Sequence, residues 1–471
     1  MVKVDLIQPR HNYAPAVSES ALGHVYMPTS LLTAAARLIA AGVDVELHDE
    51  NIKPMQLSSS YVGINLLGAP YIPEVIKLQK EIDERVQEKA IYLLGGQVVS
   101  SSPNGLSQKQ FKRLFGDSAY NGNDDKTLAS VLGIEAGMLS PPERTSLIPA
   151  YEKIPDEMMK MYLSKEFGLY VSQGCMFHCD FCGANRTILD TTGKPIIQAE
   201  EVYRNPKIIK DDLEYLVKKA KSFGIKELNI YMSNLDTFQK PHKLNEFAYA
   251  VKDVKQSNPG FEIRLRGLST PALYLNARDK HANYIGNLVE AGFHTAGFGV
   301  DGMTPQVWKG VHKEINDEKR CLEAIQSARR DFGIIPEILM VFGHVGVDTE
   351  KTLKLACEFT QAMVDTYEAV PRPHVAKNFI PGNKGWIYPG NVKAIELLLK
   401  NPESFQGLDF TSLASPLTHP DGRLRELTNH YYKEICNIEG NTTQWVMPIT
   451  PDLTPKQIEE VKKSNKWKYD R

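Results

Sequence analysis

Twice along this chain short apolar runs alternate with helical stripes closed by glycine, and that alternation leaves few folds open. In the first stretch VKVDLI is a strand run, and LLTAAARLIAAG places Leu31, Leu32, Ala35, Leu38 and Ile39 on one helical face before Gly42. VDVELHDE alternates with period two. YVGINLL, the stripe of Val75, Leu78, Ile82 and Val86, and AIYLLGG follow. The order predicts an α/β fold whose residues 1–135 form a doubly wound, Rossmann-like parallel sheet, with ligands beyond the strand ends at Ile7, Leu67, Leu94 and Tyr120. Residues 136–166 (SPPERTSLIPAYEKIPDEMMK within them) break both periodicities and are expected to be a linker. From 167 to 385 the alternation restarts: GLYVS, ELNIYM, FEIRL, HTAGFG, EILMVF and HVAKNF are strand runs separated by helical stretches, which predicts a partial (β/α)6 barrel. Residues 386–471, with Trp386, His419, His430, Tyr431, Tyr432 and Trp445, are expected to be a C-terminal cap.

At 471 residues the chain exceeds what one core usually holds, so more than one domain is expected. Lys plus Arg at 55 against Asp plus Glu at 57 gives a net charge of -2, which lacks the footprint of a general nucleic-acid binder. SLLTAAARLIAAGV is interrupted by Arg37 and is too short to cross a membrane, and MVKVDLIQPR has no signal-peptide pattern, so a cytoplasmic enzyme of a small molecule is expected.

Three of six cysteines stand together in GCMFHCDFCGANRT. Cys175, Cys179 and Cys182 follow GLYVS, at the carboxyl end of the barrel's first strand, where barrels carry their chemistry. A structural zinc ordinarily takes four ligands, and no second CxxC or HxxxH lies nearby, although His178 or a distant residue could complete one. Three thiolates on a four-iron four-sulfur cluster leave one iron open to a small ligand. Cys321, Cys357 and Cys436 are isolated and fit buried hydrophobes.

The CxxxCxxC spacing, with Phe181 before its last cysteine, resembles the radical S-adenosylmethionine superfamily. The resemblance implies that the open iron holds S-adenosylmethionine and that a reduced cluster cleaves it to a 5'-deoxyadenosyl radical. A flavodoxin- or ferredoxin-type partner would supply the electron. YMSNLDTF resembles the segment after the second strand and implies that Ser233, Asn234 and Asp236 contact the ligand's amino group. GFHTAGFGVDGM places Asp301 where the family more often has glutamate; MVFGHVGVDTEKTL places His344 in the fifth-strand segment; NFIPGNKGW resembles the Pro-Gly segment after the sixth. Arg264 and Arg266 would reach the ligand's carboxylate or ribose.

QPRHNYAP, ELHDENIKP, GINLLG, YLLGGQVVSS and AYNGNDDKTL resemble the cobalamin-binding domain that precedes the barrel in one branch of that superfamily. Asn65 and Leu67 match its Ser-x-Leu, and Gly122 opens a GNDD that stands for Gly-Glu-Gly-Glu. Gly95 and Gly96, lacking Cβ, would let the nucleotide tail of cobalamin pass. No Asp-x-His-x-x-Gly occurs in residues 1–140, as in that branch, although His11 and His24 lie in the first loop. The resemblance implies a cobalamin-dependent methyltransferase acting on an unactivated carbon of a small metabolite or biosynthetic intermediate. The alternatives are a non-methylating ring formation or rearrangement, or an iron-sulfur or zinc protein without turnover. No residue is assigned as an acid or base catalyst.

Overall fold

The computed structural model describes residues 2–9, 27–66, 71–86, 89–96, 99, 108–177, 179, 181–182, 201–344, 346–376, 399–405, 421–436 and 438. The first unit runs β1 (Lys3–Gln8), α1 (Thr29–Ala40), β2 (Asp44–Asp49), β3 (Tyr61–Asn65), α2 (Ile72–Arg85), β4 (Ile91–Gly95), α3 (Gln108–Phe115), β5 (Ala119–Asn121) and α4 (Asp125–Leu132). Its five strands are all parallel in the order β2-β1-β3-β4-β5. The order reverses between β1 and β3, which opens a crevice beyond the strand ends. Helix α1 buries Leu31, Leu32, Ala35, Ala36 and Leu38. Asp124 caps α4 by accepting from the Lys126 amide, and Gly133 closes that helix at φ 65°.

The stretch expected as a linker is packed rather than free. It forms α5 (Ile148–Tyr151) and α6 (Asp156–Leu163), and Tyr151, Met158, Met159 and Tyr162 are buried in the core that joins α1 to the barrel. Tyr162 Oη donates to Asp49 Oδ2 at 2.6 Å, and Arg37 Nε donates to the Ser140 carbonyl at 2.6 Å. These helices are too short to show a periodic stripe, so their large buried side chains resembled loop composition.

The second unit continues with β6 (Glu166–Tyr170), β7 (Ser172–Gln173), β8 (Val202–Tyr203), α7 (Pro206–Ser222), β9 (Glu227–Ser233), α8 (Pro241–Ser257), β10 (Glu262–Ser269), α9 (Pro271–Ala291), β11 (Phe293–Gly299), α10 (Pro305–Gly310), α11 (Glu318–Phe332), β12 (Ile335–Phe342), α12 (Glu350–Tyr367) and β13 (Val370–Val375). Six parallel strands stand in the order β13-β12-β11-β10-β9-β6, an open barrel with β6 and β13 at its edges. Strands β9 and β10 alternate strictly: in β9 Leu228, Ile230 and Met232 are buried while Asn229, Tyr231 and Ser233 are half-buried. The last strand begins earlier than HVAKNF suggested. Its sequence VPRPHV holds two prolines, which an edge strand accepts because one side of its ladder is unpaired. Helix α13 (Gly422–Cys436) packs on α12 and β13. His430, Tyr431 and Tyr432 lie on it; Trp386, His419 and Trp445 lie outside the described residues.

One ion pair ties these parts together. Arg204 and Asp212 are wholly buried, 2.5 Å apart. Arg204 also donates to the Tyr170 carbonyl at 3.2 Å and the Thr145 carbonyl at 2.8 Å. Asp212 accepts from Ser146 Oγ at 2.7 Å and the Leu147 amide at 3.1 Å. Removing one partner of such a pair strands the other charge in the core, at a cost of about 3–5 kcal/mol. Asp212→Ala is therefore expected to lower the thermal and urea midpoints by an amount equivalent to about 3–5 kcal/mol; a loss under about 1 kcal/mol, the scale of a surface pair, would contradict this role.

Candidate functional site

Strand β6 delivers the chain to the carboxyl face of the barrel. The Arg204 amide donates to the Val171 carbonyl at 2.9 Å, β7 pairs antiparallel with β8, and Gly174 turns the chain at φ 97°. Cys175, Cys179 and Cys182 follow, all half-buried and none in a disulfide. The Cys182 amide donates to the Cys179 carbonyl at 3.0 Å, closing a turn that brings these two together. Gln239 brackets Cys175: its Oε1 accepts from the Met176 amide at 2.5 Å and its Nε2 donates to the Gly174 carbonyl at 3.4 Å. Burial pushes the Cys175 thiol up to about 12 and the Cys179 thiol up to about 11; Lys313 opposes the shift at Cys179. Three half-buried sulfur donors on one loop fit a cationic iron-sulfur group, whose irons would supply the charge that holds them as thiolates.

A second cluster faces that loop from β11 and β12. The Phe181 ring lies 5.3 Å from the His344 ring and 6.0 Å from Lys313 Nζ. Lys313 is paired with Asp301 Oδ2, while Asp301 Oδ1 accepts from the Val341 amide at 3.0 Å. Both Asp301 oxygens are thus engaged, and its φ of 49° is left-handed. His344 is buried, its Nε2 is 3.0 Å from the Val341 carbonyl, and Asp348 accepts from the Gly343 and His344 amides at 2.8 Å each. Burial lowers the His344 pKa, which favours the neutral ring.

The other expected ligand contacts separate. Ser233 and Asn234 line a cavity at the β6 and β9 ends. Asn234 Nδ2 is buried with no hydrogen-bond partner among the described residues, so it presents a donor. Asp236 instead braces β9 to β10: it accepts from the Phe238 amide at 3.2 Å, Ser269 Oγ at 2.8 Å and the Thr270 amide at 2.7 Å. Its carboxyl is pushed up to about 6 by burial. Arg266 lies on the lumen wall, Nε to Glu337 Oε2 at 2.8 Å, with its guanidinium 5.2 Å from the Tyr231 ring centre. Arg372 takes the other Glu337 oxygen at 2.8 Å. Arg264 pairs with Glu227 at 3.5 Å.

In the first unit Asn65, Gly95, Gly96 and Gly122 line one cavity of about 310 Å³ beneath α1; Leu67, His11 and His24 lie outside the described residues. Gly96 has φ 110°, and a Cβ there would lie 2.4 Å from the Leu66 carbonyl oxygen. Asn123 holds the two loops together, accepting from the Gly96 amide at 3.1 Å and donating to its carbonyl at 2.9 Å. Gly63, not singled out by sequence, also lines this cavity, and its Cβ would lie 2.3 Å from Leu6 Cδ2. Ser30, Ala34, Gly122 and Asn123 are shared with a second cavity of about 480 Å³ that reaches Gly174; Thr29, Tyr231 and Ser233 link that one to a third of about 390 Å³ in the barrel lumen.

Glu201, which has no motif around it, is nearly fully buried beside the cysteine loop and accepts from Ser172 Oγ at 2.6 Å. Burial pushes its carboxyl up to about 7 against the Ser172 bond. The native state then keeps the proton up to about pH 7 while the unfolded chain releases it above 4.5, so stability falls as pH rises between those values. Glu201→Gln removes this term: relative to wild type the variant is expected to gain up to about 3 kcal/mol between about pH 4 and pH 8 in urea titrations. A difference independent of pH would contradict the assignment.

Residues 169–356 match the family model described as the Radical SAM superfamily. Among solved structures, the chain is similar to the radical S-adenosylmethionine methyltransferase TsrM from Kitasatospora setae with cobalamin and a 4Fe-4S cluster bound, at 14% identity and TM-score 0.56, over 80% of this chain and 76% of that one. A second TsrM structure, with tryptophan substrate and an S-adenosylmethionine analogue, gives TM-score 0.55 at 14% identity over 80% and 73%. The cobalamin-dependent S-adenosylmethionine radical enzyme OxsB, with aqua-cobalamin and S-adenosylmethionine, matches at 14% identity and TM-score 0.55 over 92% of this chain and 62% of its own. No curated protein sequence matches. Among the described residues no helix is long and apolar enough to cross a membrane. Over residues 169–356 the chain is similar to the Radical SAM superfamily, and its fold resembles those of TsrM and OxsB.

Proposed function

We propose that the chain is a cobalamin-dependent radical S-adenosylmethionine methyltransferase that acts on an unactivated carbon of a small metabolite or biosynthetic intermediate in the cytoplasm. The observation that carries this reading is a row of three cavities with shared walls, from the glycine-lined crevice of the first sheet, by way of Gly174 just before the cysteine loop, to the barrel lumen. Residues 1–135 would be the cobalamin domain, 136–166 the connection, 167–385 the radical barrel and 386–471 the C-terminal substrate region. When bound, the cluster and S-adenosylmethionine supply radical chemistry and cobalamin supplies a methyl carrier.

The chain's own part is to hold and to orient. Cys175, Cys179 and Cys182 bind the cluster, with Gln239 fixing the backbone on both sides of Cys175. The Asn234 amide offers a donor to a ligand oxygen from the cavity wall. Gly63, Gly95, Gly96 and Gly122 line the crevice under α1 proposed for a cofactor tail, and the close packing of its walls depends on them, since a Cβ on Gly63 or Gly96 would meet Leu6 or the Leu66 carbonyl. The middle cavity carries hydroxyls from Thr29, Ser30, Thr33 and Tyr170 and suits a polar small molecule, which would sit between the two cofactors. A flavodoxin- or ferredoxin-type protein would deliver the electron.

The test is product stoichiometry with methyl-labelled S-adenosylmethionine. One S-adenosylhomocysteine and one 5'-deoxyadenosine are expected per labelled product, because one donor serves each role. The similarity to OxsB, described as a radical enzyme rather than a methyltransferase, gives the second reading its support. Product formed with 5'-deoxyadenosine but without label would establish that second reading, a ring formation or rearrangement. Labelled product without 5'-deoxyadenosine would instead mean polar methyl transfer.

A further inference from the structure

Lys313 is a lysine placed where lysines are rarely found: its side chain is 6% exposed. The turn that carries it is pinned on every side. Trp308, buried after the start of α10, donates Nε1 to the Val300 carbonyl at 2.8 Å, and the Lys313 amide donates to the Trp308 carbonyl at 2.7 Å. Asn316 Nδ2 donates to the Gly299 and Val300 carbonyls at 2.9 and 3.1 Å. From this turn the lysine crosses the end of β11 directly over Gly299, where a Cβ would stand 2.6 Å from Nζ. The glycine is the passage by which the ammonium reaches the cysteine loop.

Stability alone gives no reason for the arrangement. A buried ion pair is often matched or bettered by an apolar pair of the same volume, because desolvation offsets the Coulomb gain. What the pair achieves is the placement of a positive charge 6.0 Å from the ring of Phe181, the residue before Cys182 in the cysteine loop. Asp301 is anchored towards β12, its Oδ1 accepting from the Val341 amide at 3.0 Å, while the ammonium faces the Phe181 ring.

We propose that Lys313 raises the reduction potential of the cluster held by Cys175, Cys179 and Cys182. Reduction adds one electron and no proton to the cluster, so a nearby positive charge favours the reduced form. The inference rests on the reading of the three cysteines as cluster ligands. The ease of reduction governs how readily the chain accepts the electron that starts each cycle, and Lys313 would act on that step as a positioning charge.

The experiment is an EPR-monitored dithionite titration of the full chain, reconstituted anaerobically with iron and sulfide, without S-adenosylmethionine. Lys313→Arg keeps the charge and is expected to keep the wild-type potential. Lys313→Met is expected to make the cluster about tenfold harder to reduce, a fall of about 59 mV for a one-electron couple. Since that variant leaves Asp301 buried without its cation, Lys313→Met with Asp301→Asn is the companion: it removes both charges, strands neither, and is expected to lower the potential in the same direction. Wild-type potential in both methionine variants, with full iron content, would overturn the inference while leaving the cluster in place. A wild-type chain that builds no cluster would overturn the ligand assignment and this inference with it.

Discussion

A guanidinium and a carboxylate withdrawn entirely from water hold the junction on which the rest of the molecule depends. Arg204 and Asp212 reach the end of β6 through Tyr170 and the connecting stretch through Thr145, Ser146 and Leu147. The cysteine loop begins five residues after Tyr170, so its position is inherited from this pair. The pair's further hydrogen bonds go largely to backbone, at Tyr170, Thr145 and Leu147, although Arg204 Nε is buried with no partner among the described residues, and this ties loop geometry to the ion pair.

The junction also sets how the two sheets meet. Thr29, at the start of α1, donates Oγ1 to the Gly168 carbonyl at 2.9 Å, and a Cβ on Gly168 would lie 2.9 Å from that same oxygen. Tyr162 bonds Asp49 from the other side. Close approach through a glycine brings the helix over the glycine crevice next to the barrel mouth, where neighbouring cavities share Thr29, Ser30 and Asn123 as walls. Parallel sheets collect their ligands at strand ends. Bringing two such ends together sets adjacent cavities side by side, the arrangement that the proposed two-cofactor reaction would use.

Much of this was legible in the sequence. Apolar runs and helical stripes located most strands, because parallel strands buried on both faces read as short continuous apolar runs and amphipathic helices repeat with their own period. That the cysteine trio shares one loop, and that glycines 95, 96 and 122 line one cavity, followed from their spacing and from their places after strands. The connecting stretch was not legible, since its helices are a turn or two long, and β13 was displaced because its prolines mark an edge that only the finished sheet defines. Asp236 looked like a ligand contact from its place after a strand. The partners that engage it, Ser269 and Thr270, lie more than thirty residues away in the chain. Gln239, Glu201 and Lys313 left no motif for the same reason: each matters through contacts made across the fold.

The central claim is that one chain seats an iron-sulfur cluster and a cobalamin on either side of a shared space. The most direct measurement counts both on the same molecules after anaerobic reconstitution with iron, sulfide and hydroxocobalamin, in wild type and in the variant with Cys175, Cys179 and Cys182 all changed to alanine. The account predicts about four irons and one cobalamin per wild-type chain, and a variant that loses the iron while keeping the cobalamin. Zinc in place of iron, or a folded chain that takes up no cobalamin, would contradict it.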